Sequence, residues 1–269
     1  MKKITALFLV VVLTVTAFTS CGSKKKDLIV FAAASLTETL TQIKEDYEKL
    51  NPDINIVYNF DSSGTLKDQI EKGAACDIFI SAAQKQMNQL DISSSEDKNP
   101  DRLDFVLSET RFDILENKVV LAVPDGNPQN ITGFDDLAVR LEEGTILIAV
   151  GNSDVPVGQY TQKIFDFYGL DEEVLSASGV LSYGSNVKQV TSQVREATVA
   201  AGIIYSTDAF SAGLSSVDSA TEEMCGKVIY LCAVMKNASD QSEAMEFIEY
   251  LKSDEAMKVF ESVGFSKVG

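Results

Sequence analysis

Apolar and polar positions along this chain alternate between two periods. Residues 28–33, LIVFAA, are an unbroken apolar run; after Ser35 the apolar residues Leu36, Leu40, Ile43, Tyr47 and Leu50 recur at steps of four and three. The run reads as a strand buried on both faces, and the later spacing places its residues on one face of a helix. The couplet repeats at 54–60 with 65–72, where Gly73 stops the helix, and at 77–82 with 84–90. Strands that alternate with helices predict a parallel sheet with crossover connections. Residues 93–102, SSSEDKNPDR, show neither period and read as an exposed loop.

A second series begins with KVVLAVP at 118–124 and the turn-rich DGNPQN after it. It predicts a helix over 134–141, a strand over 146–150, helices over 159–168 and 187–197, and a strand over 202–205. Residues 227–235 form another apolar strand, and helices over 240–252 and 254–263 close the chain. The two long apolar runs bracket a middle block of about a hundred residues, the pattern of a chain that passes between two lobes twice. The predicted class is α/β: two lobes with mostly parallel sheets, joined by two crossover strands. One lobe takes 27–117 and 228–269, and the other takes 118–227. In open sheets of this kind a ligand sits at the carboxyl ends of the strands, here in the cleft between the lobes.

Charge and composition narrow the partners. With 40 acidic against 23 basic residues the formal charge is −17, which opposes nucleic acid. Bulk charge is screened over about 8 Å at physiological salt, so a small anion can still bind where local donors converge. The chain contains no histidine, which removes Ser-His-Asp and Cys-His catalysis and imidazole-based zinc sites. No phosphate-loop or dinucleotide fingerprint occurs. No enzyme activity and no cofactor are expected. One enzyme class stays open in principle, a serine nucleophile at Ser35 or Ser63 with Lys67 as base, although SxxxK lacks the SxxK spacing of serine–lysine enzymes.

The N-terminus reads as an export signal over 1–20: Lys2 and Lys3, an apolar stretch over 4–18, and the small-residue site FTSC ending at Cys21. FTSC resembles a bacterial lipobox with Phe18 in place of the usual leucine, which makes Cys21 the lipidated residue and 21–26 a tether to the membrane. Cys76, Cys225 and Cys232 remain, an odd number. Burial as free thiols suits their apolar settings, and a Cys225–Cys232 disulfide stays open.

The candidate chemistry lies where strands meet helices. Ser35 begins SLTE at 35–38, the spacing of a capping box. A helix start leaves about four N–H groups unpaired and carries roughly half a positive charge, so Ser35 reads both as an N-cap and as part of an anion seat. DSSGTL at 61–66 repeats the arrangement after the second strand, with Ser63 as the candidate donor. GNSDVPVG at 151–158 offers the backbone N–H of Val157, and SYGSNV at 182–187 offers that of Val187. The strand at 202–205 ends in Tyr205, which is either a core phenol or a donor to an oxyanion.

FAAASL, SSGTL, DIFISA, VPVGQY and IIYSTDA occur in that order. Together they resemble the molybdate-binding proteins of bacterial ABC uptake systems, over about residue 27 to the Gly264-Phe265 pair. The resemblance implies a two-lobed fold of the periplasmic-binding type and a tetrahedral oxyanion, molybdate or tungstate, held by hydrogen bonds alone. The donors it implies are Ser35, Ser63, the backbone of Val157 and Val187, and Tyr205. It also implies a monomeric, extracytoplasmic lipoprotein that delivers its ligand to a membrane permease and its ATPase. Sulfate and phosphate are the alternative oxyanions.

Overall fold

A computed structural model describes residues 25–268. The signal, the lipobox and Cys21 lie outside the described residues. The chain opens with β1 (Lys26–Ala33), α1 (Thr37–Leu50), β2 (Ile54–Asp61), α2 (Ser63–Glu71), β3 (Ile78–Ser81), α3 (Gln84–Leu90) and β4 (Phe112–Asn117). Lys118 separates β4 from β5 (Val119–Val123), which starts the second sheet. There follow α4 (Phe134–Glu142), β6 (Ile148–Gly151), α5 (Pro156–Tyr168), α6 (Glu172–Ala177), β7 (Leu181–Gly184), α7 (Val187–Arg195), β8 (Ala201–Tyr205), α8 (Ser206–Ala212), β9 (Ser215–Ser219) and α9 (Glu222–Cys225). The chain then returns to the first sheet as β10 (Val228–Val234) and ends in α10 (Gln241–Leu251) and α11 (Asp254–Glu261).

The strand orders are β2-β1-β3-β10-β4 and β7-β6-β8-β5-β9. In the first sheet Leu28 pairs with Ile56 and Val30 with Ile78 in parallel, while β10 runs antiparallel between β3 and β4. The second sheet repeats the plan, with β5 antiparallel between β8 and β9. Each sheet thus has four strands in one direction and one reversed, and the reversed strand is the one that has just crossed from the other lobe.

The periodic residues account for the layers. Leu40, Ile43 and Tyr47 bury one face of α1, and Val187, Val190 and Val194 one face of α7. Burial of such side chains contributes about 1.5–3 kcal/mol each. The α5 helix begins at Pro156 rather than near 159, because a proline at the first helical position needs no amide partner and presets the backbone. Cys76, Cys225 and Cys232 are buried and free, so the Cys225–Cys232 bridge does not form.

Candidate functional site

The carboxyl ends of β1, β3 and β8 and the openings of α2, α5 and α7 converge on one cavity between the lobes. Its walls are Ala33, Ala34, Ser35, Ser62, Ser63 and Ala82 from the first lobe and Val155, Pro156, Val157, Val187 and Tyr205 from the second. The space within it and at its mouth is about 200 Å³, and no charged side chain lines it. All five residues singled out in the sequence are among these walls.

Ser35 is not an N-cap. A short 3-10 turn over Ala34–Leu36 intervenes, Leu36 caps α1 without a side-chain hydrogen bond, and the capping box with Glu38 does not form. The turn instead leaves Ser35 buried, with its Oγ 2.8 Å from the hydroxyl of Tyr230 on β10. At α2 the cap is Ser62, whose Oγ accepts from the Thr65 N–H at 3.1 Å. This releases Ser63, which is fully buried and accepts the backbone N–H of Ala82 at 3.0 Å. An amide N–H only donates, so the Ser63 oxygen is the acceptor and its own proton remains to be given elsewhere.

In the second lobe, Val157 is the second residue of α5 and Val187 the first of α7, positions whose N–H groups have no partner four residues back. The first bonds along α5 start at the Gln159 N–H, and the Asn186 side chain caps α7 at the Gln189 N–H. A Cβ on Gly158 would stand 2.1 Å from the Asn152 oxygen, so only glycine lets the opening of α5 sit this close to the end of β6. Tyr205 is buried, and its hydroxyl has no hydrogen-bond partner among the described residues. Burial raises the pKa values of Tyr205 and Tyr230 well above the usual phenol, so both keep their protons and remain donors.

Charges stand outside the cavity and tie the lobes together. Lys188, next to Val187, reaches both Glu38 oxygens at 2.7 and 2.8 Å and the Asp208 carboxylate at 3.0 Å. Burial pushes Asp208 up, against the pull of Lys188, to about 6. Burial opposes the charge on Lys188, but Asp208 and Glu38 outweigh it and raise its pKa. A second crossing contact runs from Asn186 Nδ2 to Asp61 Oδ1 at 3.1 Å. Gly64 meets Asp154 so closely that a Cβ there would lie 2.2 Å from the Asp154 carbonyl oxygen. The lobes are closed on each other.

Lys67 is engaged by carboxylates of its own helix. It pairs with Glu71 at 2.7 Å and Asp68 at 3.4 Å. Burial works to lower its pKa, but those two carboxylates reverse this and raise it, so the amine holds its proton.

This two-lobed frame recurs in known proteins. Residues 28–266 match the family model of the bacterial extracellular solute-binding proteins. The chain belongs to this family. Among relatives of this solute-binding protein, the Haemophilus influenzae molybdate-binding protein ModA is 32% identical over 99% of this chain and 99% of its own length. The Bacillus subtilis protein YvgL, which bears the name of an ABC transporter substrate-binding lipoprotein, is 34% identical over 98% of this chain and 95% of its own. The structure of the Azotobacter vinelandii periplasmic molybdate-binding protein superposes with a TM-score of 0.74, at 21% identity, over 90% of this chain and 100% of that one.

Ser62 stands in DSSGTL beside the donor chosen there, whereas Tyr230 and Lys188, which brace the candidate site, carried no local signal. Tyr230 lies inside the apolar run VIYLCAV and reads there as core. Glu38 and Lys188 meet across 150 residues of sequence.

Proposed function

We propose that this solute-binding protein captures molybdate or tungstate and delivers it to an ABC permease and its ATPase. The observation that carries the reading is the Tyr205 hydroxyl, buried and without a hydrogen-bond partner among the described residues, in a cavity where Ser35, Ser63 and the amides of Val157 and Val187 stand as candidate donors. A buried phenol without a partner costs about 1–3 kcal/mol, a cost an oxyanion relieves. Ser35, Ser63, Tyr205 and the amides of Val157 and Val187 are five donors for the four oxygens of a tetrahedral dianion. Charge-assisted hydrogen bonds are roughly twice as strong as neutral ones, so the dianion is satisfied without a counter-ion. No cationic side chain lines the cavity, so among tetrahedral dianions selection falls to size, molybdate and tungstate being larger than sulfate. The similarity to ModA of Haemophilus influenzae supports the same ligand.

In this reading residues 27–117 with 228–269 form one jaw and 118–227 the other, and ligand contacts from both sides draw them together. The protein works as a monomer outside the cytoplasm, exported by the signal over 1–20 and held to the membrane through a lipid on Cys21. The name borne by YvgL supports the anchor. A thermal-shift screen of the mature chain against molybdate, tungstate, sulfate, phosphate and chromate tests the ligand, with stabilisation expected from the first two. The double variant Ser35→Ala with Ser63→Ala loses high-affinity molybdate binding in calorimetry with an unchanged circular dichroism spectrum. Retained affinity would sink the assignment of these serines.

A further inference from the structure

A buried chain of hydrogen bonds leads from the connection between the lobes to Ser35. Asn117 is the last residue of β4, separated from β5 by Lys118 alone. Its Oδ1 receives the backbone N–H of Lys118 at 2.8 Å and the Ser206 hydroxyl at 3.0 Å. Its Nδ2 lies 2.9 Å from Thr207 Oγ1 and 3.3 Å from the Tyr230 hydroxyl. The Tyr230 hydroxyl is in turn 2.8 Å from Ser35 Oγ. Asn117, Tyr230 and Ser35 are all buried, so water does not scramble the order.

The sense of this chain starts from one group that cannot reverse. The Lys118 amide can only donate, so the side of Asn117 facing it is the carbonyl and the NH₂ faces Tyr230. The Tyr230 oxygen accepts from Asn117, which leaves its own proton for Ser35, the other hydroxyl within hydrogen-bond distance. Ser35, accepting from Tyr230, has its hydroxyl proton left for the cavity. We infer that Asn117 and Tyr230 are positioning residues that turn Ser35 into an obligate donor toward the bound oxyanion. Ser63 is set in the same sense by the Ala82 amide, so both serines of the first lobe are donors before the ligand arrives. A site arranged this way favours fully deprotonated oxyanions, because both serines of the first lobe meet the ligand as donors. Because Asn117 also bonds Thr207 and Ser206 beyond Tyr205, the orientation of Ser35 is tied to the segment that joins the lobes.

The inference rests on the oxyanion reading of the cavity, and two measurements separate the two. Neutron diffraction from perdeuterated, ligand-free crystals locates the deuteron between Tyr230 and Ser35. Its attachment to the Tyr230 oxygen is expected, and attachment to Ser35 Oγ overturns the relay whatever the ligand proves to be. Calorimetry with molybdate then compares Tyr230→Phe in the native and in the Ser35→Ala background. The phenyl ring keeps its packing against Phe265 and Tyr205, whose centroids lie 5.3 and 5.9 Å away. We expect about a tenfold loss of affinity in the native background, the scale of one weakened charge-assisted hydrogen bond, and less than about twofold once Ser35 is gone. Equal losses in both backgrounds, or none in the native one, would show that the phenol acts through packing and not through Ser35. Failure of the wild-type protein to bind molybdate defeats the ligand reading, while the deuteron position still decides the relay.

Discussion

The Tyr205 hydroxyl is buried beside two serines and bonds to no other protein group among the described residues, which gives it opposite effects on folding and on binding. Tyr205→Phe removes an unsatisfied polar atom and keeps the ring, which packs edge-on at 6.3 Å from Tyr160. The unliganded variant should therefore melt at or above the wild-type temperature in calorimetry, because leaving the group unpaired costs about 1–3 kcal/mol. Molybdate affinity should fall about tenfold or more in the same protein, as expected for loss of a hydrogen bond to a charged group. A variant that loses stability and affinity together would place the phenol in the packing rather than on the ligand. At this scale the sequence was a good guide to position and a poor one to posture. The residues at strand ends were legible because a strand running into a helix exposes its last residues by geometry. The orientation of Ser35 was not, since it depends on Tyr230, 195 residues away and hidden in an apolar strand.

At the scale of elements, α1 and α7 meet through Glu38 and Lys188, with Asp208 of α8 behind them. Apart from Lys188, the Asp208 carboxylate has no hydrogen-bond partner among the described residues. Lys188→Met leaves it buried without a counter-charge. The folded pKa of Asp208, about 6, is above its unfolded value, so its contribution to stability is present at low pH and lost as pH rises toward 6. Without Lys188 the folded pKa climbs further and the loss continues at higher pH. Thermal melts from pH 4 to pH 8 should show wild type and Lys188→Met close together at the acid end and diverging above about pH 6. A gap independent of pH would exclude Asp208 as its source. The amphipathic helices and buried strands were legible from their periods. The strands β4, β7 and β9 and the short helices α6, α8 and α9 were not. β9, SSVDS, is a mostly exposed edge strand with no apolar run to mark it, and β7 is four residues long with only Leu181 and Gly184 buried. Such segments take their form from the neighbouring strand.

Across the whole molecule, closure is limited by how near the two lobes approach at Gly64 and Asp154. A methyl group at Gly64 would stand 2.2 Å from a backbone oxygen that has little freedom to move. Gly64→Ala should therefore hold the jaws apart. Small-angle scattering should show the wild type contracting when molybdate is added and the variant failing to contract, with weaker binding and an unchanged melting temperature without ligand. Contraction in the variant would mean that the lobes close about a different contact. The reversed strands carry a consequence for the order in which the molecule can be assembled. The second sheet has all its strands once the chain reaches residue 219, whereas β4 pairs only with β10 in the first. A chain emerging from its N-terminus therefore completes the second lobe before the first, which stays split until residues 228–234 insert between strands made more than a hundred residues earlier. Tyr230 arrives with that last strand, so the support for Ser35 is among the final pieces to be set.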